Sequence, residues 1–426
     1  MKPSGSVPVA LIGAGVRGSL AYGAWGLRHP ERARIIAVAE PDDARRERFA
    51  DEHGVAREAR FHDWPELLTG GPPVGGVIVA TPDQQHAEPA IRALELGLDV
   101  LLEKPVARTP QELGRLLTAA RASAGRLTVA HPLRHAPLFE ALVRMVGEGD
   151  VGRVMTIDHV ENVGYLHFAH SFVRGNWRRI DESAPLILAK ACHDFDLLAW
   201  LVGVPWTRVA SFGSLSHFRP QSAPPGAPAR CIEGCPVQST CPFDSVAFYL
   251  DPTTPAPWLA AVTPDRSPEA LRDALWRGPY GRCVYRCDND VADHQVTIID
   301  FADGTTATLT VSAFTADVTR TIRVMGSQAE IAGNLITGQL EVGQFTPGSP
   351  APTKIEQVAS AEDGHGGGDD RLMDVFVTGL EQRRAGGRLP LAEGALEAAV
   401  AGHVLAFAAE ESRRTGSVVH ASMHAT

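Results

Sequence analysis

VALIGAGVRG, residues 9–18, runs from a short apolar strand directly into three glycines, Gly13, Gly15 and Gly18, spaced as GxGxxG. Each glycine has a physical task where a strand turns sharply into a helix. Gly13 permits the turn, Gly15 lets backbone approach a pyrophosphate, and Gly18 lets helix pack on strand. Val16 and Arg17 lie between them at the helix start, where free N–H groups and the positive end of the helix dipole favour a phosphate. About twenty residues on, Glu40 closes the strand pattern ARIIAVAE, where a carboxylate accepts hydrogen bonds from both ribose hydroxyls and repels a 2′-phosphate. Strand, glycines, helix and acid together predict a dinucleotide site that takes NAD in preference to NADP. Arg45 and Arg46 are the nearby cations that an NADP phosphate would use.

The alternation continues downstream. VGGVIVAT, DVLLEKP and LTVA are strand patterns separated by helical ones, and a further helix lies near 42–53. Strands alternating with helices of roughly ten to fifteen residues imply parallel strands with right-handed crossovers. Residues 1–131 are therefore predicted as a doubly wound α/β domain. After Gly149 the texture changes to longer polar/apolar alternation, as in RVMTIDHVENV and HQVTIIDFADGTTATLTVSAF. The second of these holds Asp303-Gly304 between alternating runs, a strong hairpin signal. Residues 132–426 are predicted as an α+β domain on a large, mainly antiparallel open sheet, with an insertion at about 219–290 rich in Pro, Gly and Cys. Helices near 369–383 and 391–414 and a frayed tail from about Gly416 complete the expectation.

Fifty acidic against 40 basic side chains give a formal charge of −10 over 426 residues, which argues against nucleic acid or an anionic membrane surface as partner. The N-terminal stretch lacks the charged flank and long apolar core of a signal peptide. No segment approaches the eighteen or so consecutive apolar residues that span a bilayer. The expectation is a cytoplasmic protein, in which cysteines do not form a disulfide framework. Cys231, Cys235 and Cys241, then Cys283 and Cys287, form two groups in the insertion. A structural zinc ion could staple them; an iron–sulfur cluster and unligated thiols are the alternatives.

Three further segments carry a specific likeness. In VATPDQQHAEPAIRALELGLDVLLEKP, Thr81-Pro82 and His86 follow one strand and Glu103-Lys104-Pro105 ends the next, and CHDFDLLAWLVG follows at 192–203. With the glycine turn, these residues resemble the Gfo/Idh/MocA oxidoreductases, strongly over residues 7–203 and more weakly beyond. The resemblance implies a Rossmann domain, then a domain whose open sheet carries a substrate pocket on one face and an oligomer interface, dimeric or tetrameric, on the other. It implies cofactor contacts at Thr81, Pro82, His86, Glu103 and Lys104, and makes Lys104 the lysine that approaches nicotinamide and a substrate hydroxyl, with a cis Lys104–Pro105 bond. Independently, a cation at the carboxyl end of a parallel strand overlies the crevice where such sheets bind ligands.

The segment LILAKACHDFDLLAWLVG (186–203) places Lys190, Cys192, His193, Asp194 and Asp196 within seven positions. Adjacent side chains on a helix diverge by about a hundred degrees, so this is a poor metal site. Alcohol oxidation needs a base for the hydroxyl proton, a role that suits histidine, and the resemblance assigns it to His193. The family's acid four residues earlier is here Ala189, with Lys190 beside it. The expected catalytic set is therefore Lys104, His193 and Lys190, with the aspartates capping or orienting. GYLHFAHSFVRGNWRR offers Tyr165, His170, Arg174, Asn176 and Trp177 as an aromatic and hydrogen-bonding platform for a polyhydroxylated or anionic ligand. EDGHGGGDDR offers His365 on a glycine loop that could close over it. The chemistry expected is hydride transfer between nicotinamide and a secondary hydroxyl of a sugar, sugar derivative or cyclitol. Because the His365 segment is also similar to one in NAD-dependent glycosidases of this superfamily, transient oxidation with elimination is the alternative. A catalytically silent NAD-binding regulator is another.

Overall fold

The computed structural model describes residues 5–348, 353–359, 365–387 and 395–421. Strands β1 (Val7–Ile12), β2 (Ala33–Ala39), β3 (Arg60–Phe61), β4 (Gly76–Val79), β5 (Asp99–Leu102) and β6 (Leu127–Val129) form a parallel sheet in the order β3-β2-β1-β4-β5-β6. All of β4 and β5 is buried, because helices cover both faces, and such strands read as continuous apolar runs rather than alternating ones. The order reverses between β1 and β4, which places the ligand crevice at their carboxyl ends. β3 is two residues long and leaves no period in the sequence.

The second sheet has nine strands: β7 (Val154–Asn162), β8 (Trp206–Ser214), β9 (His294–Phe301), β10 (Thr306–Ser312), β11 (Thr319–Gly326), β12 (Ala329–Asn334), β13 (Gln339–Gln344), β14 (Thr353–Gln357) and β15 (Val419–His420). Their order is β14-β13-β12-β11-β7-β10-β9-β8-β15, antiparallel except for β7 beside β10. Period-two alternation turns Ile157, His159 and Glu161 of β7, and Arg320, Ile322 and Val324 of β11, inward. The helix Cys192–Val202 packs against this inner face and ends at Gly203 in the left-handed conformation. The insertion leaves the sheet between β8 and β9 as turns and three short helices, Ser245–Tyr249, Ala256–Val262 and Pro268–Arg277.

Two expectations are corrected. The residues after 131 do not all pack in the second domain. Leu372, Met373, Phe376, Val377 and Leu380 of the helix Gly368–Arg384, with Leu396 and Val400 of the helix Ala395–Thr415, bury their side chains in the first core. Leu405, Ala406, Ala408 and Ala409 of that last helix join the second core. Of the tail expected to fray, Val419–His420 instead adds β15 to the sheet edge beside β8, and 422–426 lie outside the described residues. At Gly402 a Cβ would lie 2.6 Å from the backbone nitrogen of Asp196, so this glycine lets the last helix lie directly on the helix Cys192–Val202. Among the described residues no helix is long and apolar enough to cross a membrane.

Candidate active site

At the end of β1 the chain turns with Gly13 at φ +93°, and a Cβ there would lie 2.6 Å from the Ala80 carbonyl oxygen. Above Gly15 the space is open, the nearest atom being Arg45 Nη1 at 3.9 Å. Val16 and Leu20 stand exposed on the same turn. Glu40 is buried and accepts Ala14 N–H at 2.9 Å and Asp42 N–H at 3.0 Å, one on each carboxylate oxygen. A further lone pair remains on each oxygen for ribose hydroxyls. Arg45 stays 3.8 Å from that carboxylate, and Arg46 is committed to the Glu40 carbonyl and Asp43. A cradle left open over Gly15 beside a buried acid fits the pyrophosphate and ribose of a dinucleotide.

Three expected cofactor residues have other work. Arg17 turns its guanidinium away from the glycine turn, onto Glu103 at 2.6 Å and both Asp369 oxygens. The fully buried Tyr22 hydroxyl also donates to Glu103, at 2.5 Å. Glu103 thereby ties the turn to the end of β5 rather than facing a ligand. His86 sets one ring nitrogen 2.7 Å from the Pro105 carbonyl and the other 2.8 Å from that of Thr81, bracing the two loops from beneath. Thr81 is half-buried and Pro82 exposed just beyond the carboxyl end of β4.

Lys104, after which the peptide bond to Pro105 is cis, reaches across the crevice, and its Nζ donates to the Ala189 carbonyl at 2.8 Å. Where the resemblance expects an acid, the backbone of Ala189 holds the lysine. The missing carboxylate comes from the sheet: Glu161 of β7 takes Lys190 Nζ at 3.1 Å and Arg320 Nη2 at 2.6 Å. Arg320 Nε continues to Asp194 at 2.8 Å, which also meets His159 Nε2 at 2.7 Å. Burial lowers the Lys190 ammonium, opposed by Glu161. Burial alone would raise Asp194, but Arg320 and His159 outweigh it and hold the carboxyl well below the usual range. Asp194 and Asp196 therefore do not cap the helix, whose start carries no side-chain cap; Asp196 takes a two-pronged bond from Arg134.

His193 lies in the first turn of its helix, with its ring 5.4 Å from His365 and 5.5 Å from His131. Burial first, and Lys104 next, hold its pKa well below that of an ordinary histidine, so it is neutral. The structure thus gathers Lys104, Lys190, His193 and His365 in one cluster, joined by His167, on which Lys190 and Lys104 both act. It does not gather the rest of the expected platform. Arg174 spends its donors on the carbonyls of Arg282 and Phe243 and the sulfur of Cys231, bracing the insertion. His170 stacks on Tyr280 and bonds Tyr249, Tyr165 packs edge-on against Phe243, and Asn176 is exposed. Trp177 donates to Asp83 beside the Thr81 loop. Loops collect such residues for packing as readily as for binding.

The structure does not support the metal expectation for the insertion. Cys231, Cys235, Cys241 and Cys283 line one pocket with Phe243, Val284 and Tyr285, but among the described residues no three or more His, Cys, Asp or Glu are placed to hold a metal ion. The Cys287 thiol bonds the Cys283 carbonyl within its own turn, and burial pushes it up to about 11.

Two family models match the chain. Residues 7–131 match an oxidoreductase family with an NAD-binding Rossmann fold, and residues 139–332 the GFO/IDH/MocA C-terminal domain. YteT of Bacillus subtilis (strain 168), named as an oxidoreductase, is 27% identical over 325 residues, 72% of this chain and 73% of that one. Inositol 2-dehydrogenase 1 of Saccharopolyspora erythraea is 31% identical over 221 residues, 50% of this chain and 60% of that one. Levoglucosan dehydrogenase, solved with NADH and levoglucosan, shares the fold at TM-score 0.68 and 20% identity, over 97% of this chain and 99% of that one.

Proposed function

The chain belongs to the Gfo/Idh/MocA oxidoreductase family, and from that premise we propose that it is an NAD-dependent dehydrogenase acting on a secondary hydroxyl of a sugar, sugar derivative or cyclitol. The observation behind this reading is the convergence of Lys104, Lys190 and His193 at the strand ends beside an open glycine cradle. The relative named inositol 2-dehydrogenase supports the substrate class, and the buried Glu40 supports NAD over NADP.

Bound NAD would supply the hydride acceptor; the chain's own groups handle orientation and the proton. Lys104, anchored by one N–H on Ala189, keeps two N–H donors for a hydroxyl oxygen. Lys190, fixed by Glu161, presents a second cation that orients a neighbouring hydroxyl or an anionic group. His193, held neutral by burial and by Lys104, has a lone pair with which to take the hydroxyl proton. Replacing Lys104 with Ala should lower turnover by about 100-fold to 10,000-fold while NAD binds nearly as before. A panel of sugars and cyclitols followed by NADH absorbance, with NAD titrated separately, measures both; unchanged turnover would refute the role.

His365, brought against His193, keeps the redox-neutral glycosidase in view as a second reading. That enzyme would cleave glycosides in an NAD-dependent way without accumulating NADH. The outer face of the nine-stranded sheet supports a homo-oligomer. There Phe212 stands opposite Val296 and Ala210 opposite Ile298, with Phe212 67% and Ile298 50% exposed. Phe212→Asp should halve the mass seen by light scattering if this face is the interface.

A further inference from the structure

Two buried imidazoles meet beside this cluster. His131, just beyond β6, sets its Nδ1 3.3 Å from Nδ1 of His193. Burial with Arg134 holds His131 at about 3, and burial with Lys104 keeps His193 low as well, so each ring carries one proton near neutrality. A hydrogen bond between these nitrogens contains one of the two protons. The ring that donates it has a lone pair at Nε2, and the ring that accepts it carries its own proton there.

The surroundings decide which is which. Nε2 of His131 makes no hydrogen bond among the described residues but lies 3.8 Å from Asp196 Oδ1, and the Ala399 backbone favours the protonated form of the same ring. A lone pair at that nitrogen would face the negative carboxylate, whereas the positive end of an N–H there is attracted to it. Asp196 is itself pinned by both prongs of Arg134, at 2.6 and 2.8 Å. His403, whose ring is 5.4 Å from His131, accepts Val106 N–H at Nε2; its own proton is therefore on Nδ1. Around His193 the other groups are Lys104, His365 and Arg320, and its Nε2 has no hydrogen-bond partner among the described residues.

The geometry points to His131 as a positioning residue that, oriented by Asp196, makes His193 a base at Nε2. This inference rests on the dehydrogenase reading for its consequence, though not for its geometry. In the reaction the substrate O–H bond breaks and its proton passes to His193 Nε2. The C–H hydride leaves for the nicotinamide as the carbonyl forms, and the Nδ1 proton of the new imidazolium is shared into His131, toward the Asp196 charge.

The test uses the full chain with nitrogen-15 histidine and added NAD, His193 being assigned by comparison with His193→Gln. The expected spectrum has the proton of His193 on Nδ1 and a lone pair on Nε2; the opposite pattern overturns the inference. Kinetically, His131→Leu should lower kcat about 100-fold or more with KM within about threefold, the order seen when a catalytic histidine loses its tautomer. His131→Asn places an amide oxygen where Nδ1 stood and should return turnover to within about tenfold of the unmodified protein. Equal turnover for His131→Leu, or no recovery in His131→Asn, overturns the inference. If His131→Leu does not fold, the nitrogen spectrum of the unmodified protein decides alone. If the unmodified protein reduces NAD with no sugar or cyclitol, the dehydrogenase reading fails while the spectrum still decides the tautomer.

Discussion

Two ion networks flank Lys104, and they differ in what they connect. The first centres on Glu103, which holds Arg17 and the Tyr22 hydroxyl; Arg17 continues to Asp369, which pairs with His365 at 3.0 Å. It joins the glycine turn after β1, the end of β5 and the helix Gly368–Arg384, and the Arg17 side chain is 31% exposed. The second links Lys190, Glu161, Arg320, Asp194 and His159 within the second domain, where Glu161 and Arg320 are direct partners in the β7–β11 register. Its carboxylates are at most 1% exposed. Two cations face two buried carboxylates there, with Glu161 and Arg320 fixed by strand pairing. Such a network is a rigid floor under Lys190 and the His193 helix. The first, open on one side and made of parts from distant elements, is a clasp on the cofactor turn.

The sharpest break of this contrast is Arg320→Met. Buried ion pairs contribute little net stability when whole, but removing one partner leaves an uncompensated charge and costs about 3–5 kcal/mol. Asp194 would keep only His159, and Glu161 only Lys190. Urea unfolding should show that loss, and adding Asp194→Leu should recover much of it, because a buried apolar replacement removes the stranded charge. A single-variant cost below about 1 kcal/mol would mean that water reaches the floor.

Arg17→Met should cost less, about 1–2 kcal/mol, because Glu103 keeps Tyr22 and the Lys104 backbone N–H, Asp369 keeps His365, and water can enter where Arg17 was. Its effect on ligand binding should be the larger of the two. Loosening the clasp frees the glycine turn, so calorimetric titration should show NAD affinity lower by severalfold, while Arg320→Met leaves it within about twofold. The reverse ranking would exchange the roles of clasp and floor.

The parts of this molecule legible in the sequence are those whose contacts lie close along the chain. GxGxxG, Glu40 and the helix begun by Cys192 and ended at Gly203 each declare themselves within a turn or a strand. The networks do not. Arg17 meets Asp369 across 352 positions and Arg320 meets Asp194 across 126, distances over which no periodicity speaks. One trace existed: His159 and Glu161 share the inward parity of β7 with Ile157, and polar residues at core positions of an alternating strand mark a buried polar site. His131 left no trace at all, since its partner lies 62 positions away. Arg174 and His170 misled because their composition suits a sugar, whereas the insertion folded back onto them claims their polar atoms.

The smallest effect is a titration that asks to which network His365 belongs. Burial lowers its pKa, Asp369 opposes that, and Arg17 and then Arg320 reinforce it; His193 faces it from the other side. Because the folded value lies below the unfolded one, near 6.5, the unfolded chain gains this proton first. The stability tied to a neutral His365 therefore falls as pH drops through about 6.5 toward the folded value. Removing Arg17 takes away repulsion and frees Asp369 from its ion pair, so the midpoint should rise in Arg17→Met and rise less in Arg320→Met, read from the ring-proton resonance of His365. A rise as large or larger in Arg320→Met would attach His365 to the floor, and the loop that carries it would then move with the sheet rather than with the cofactor turn.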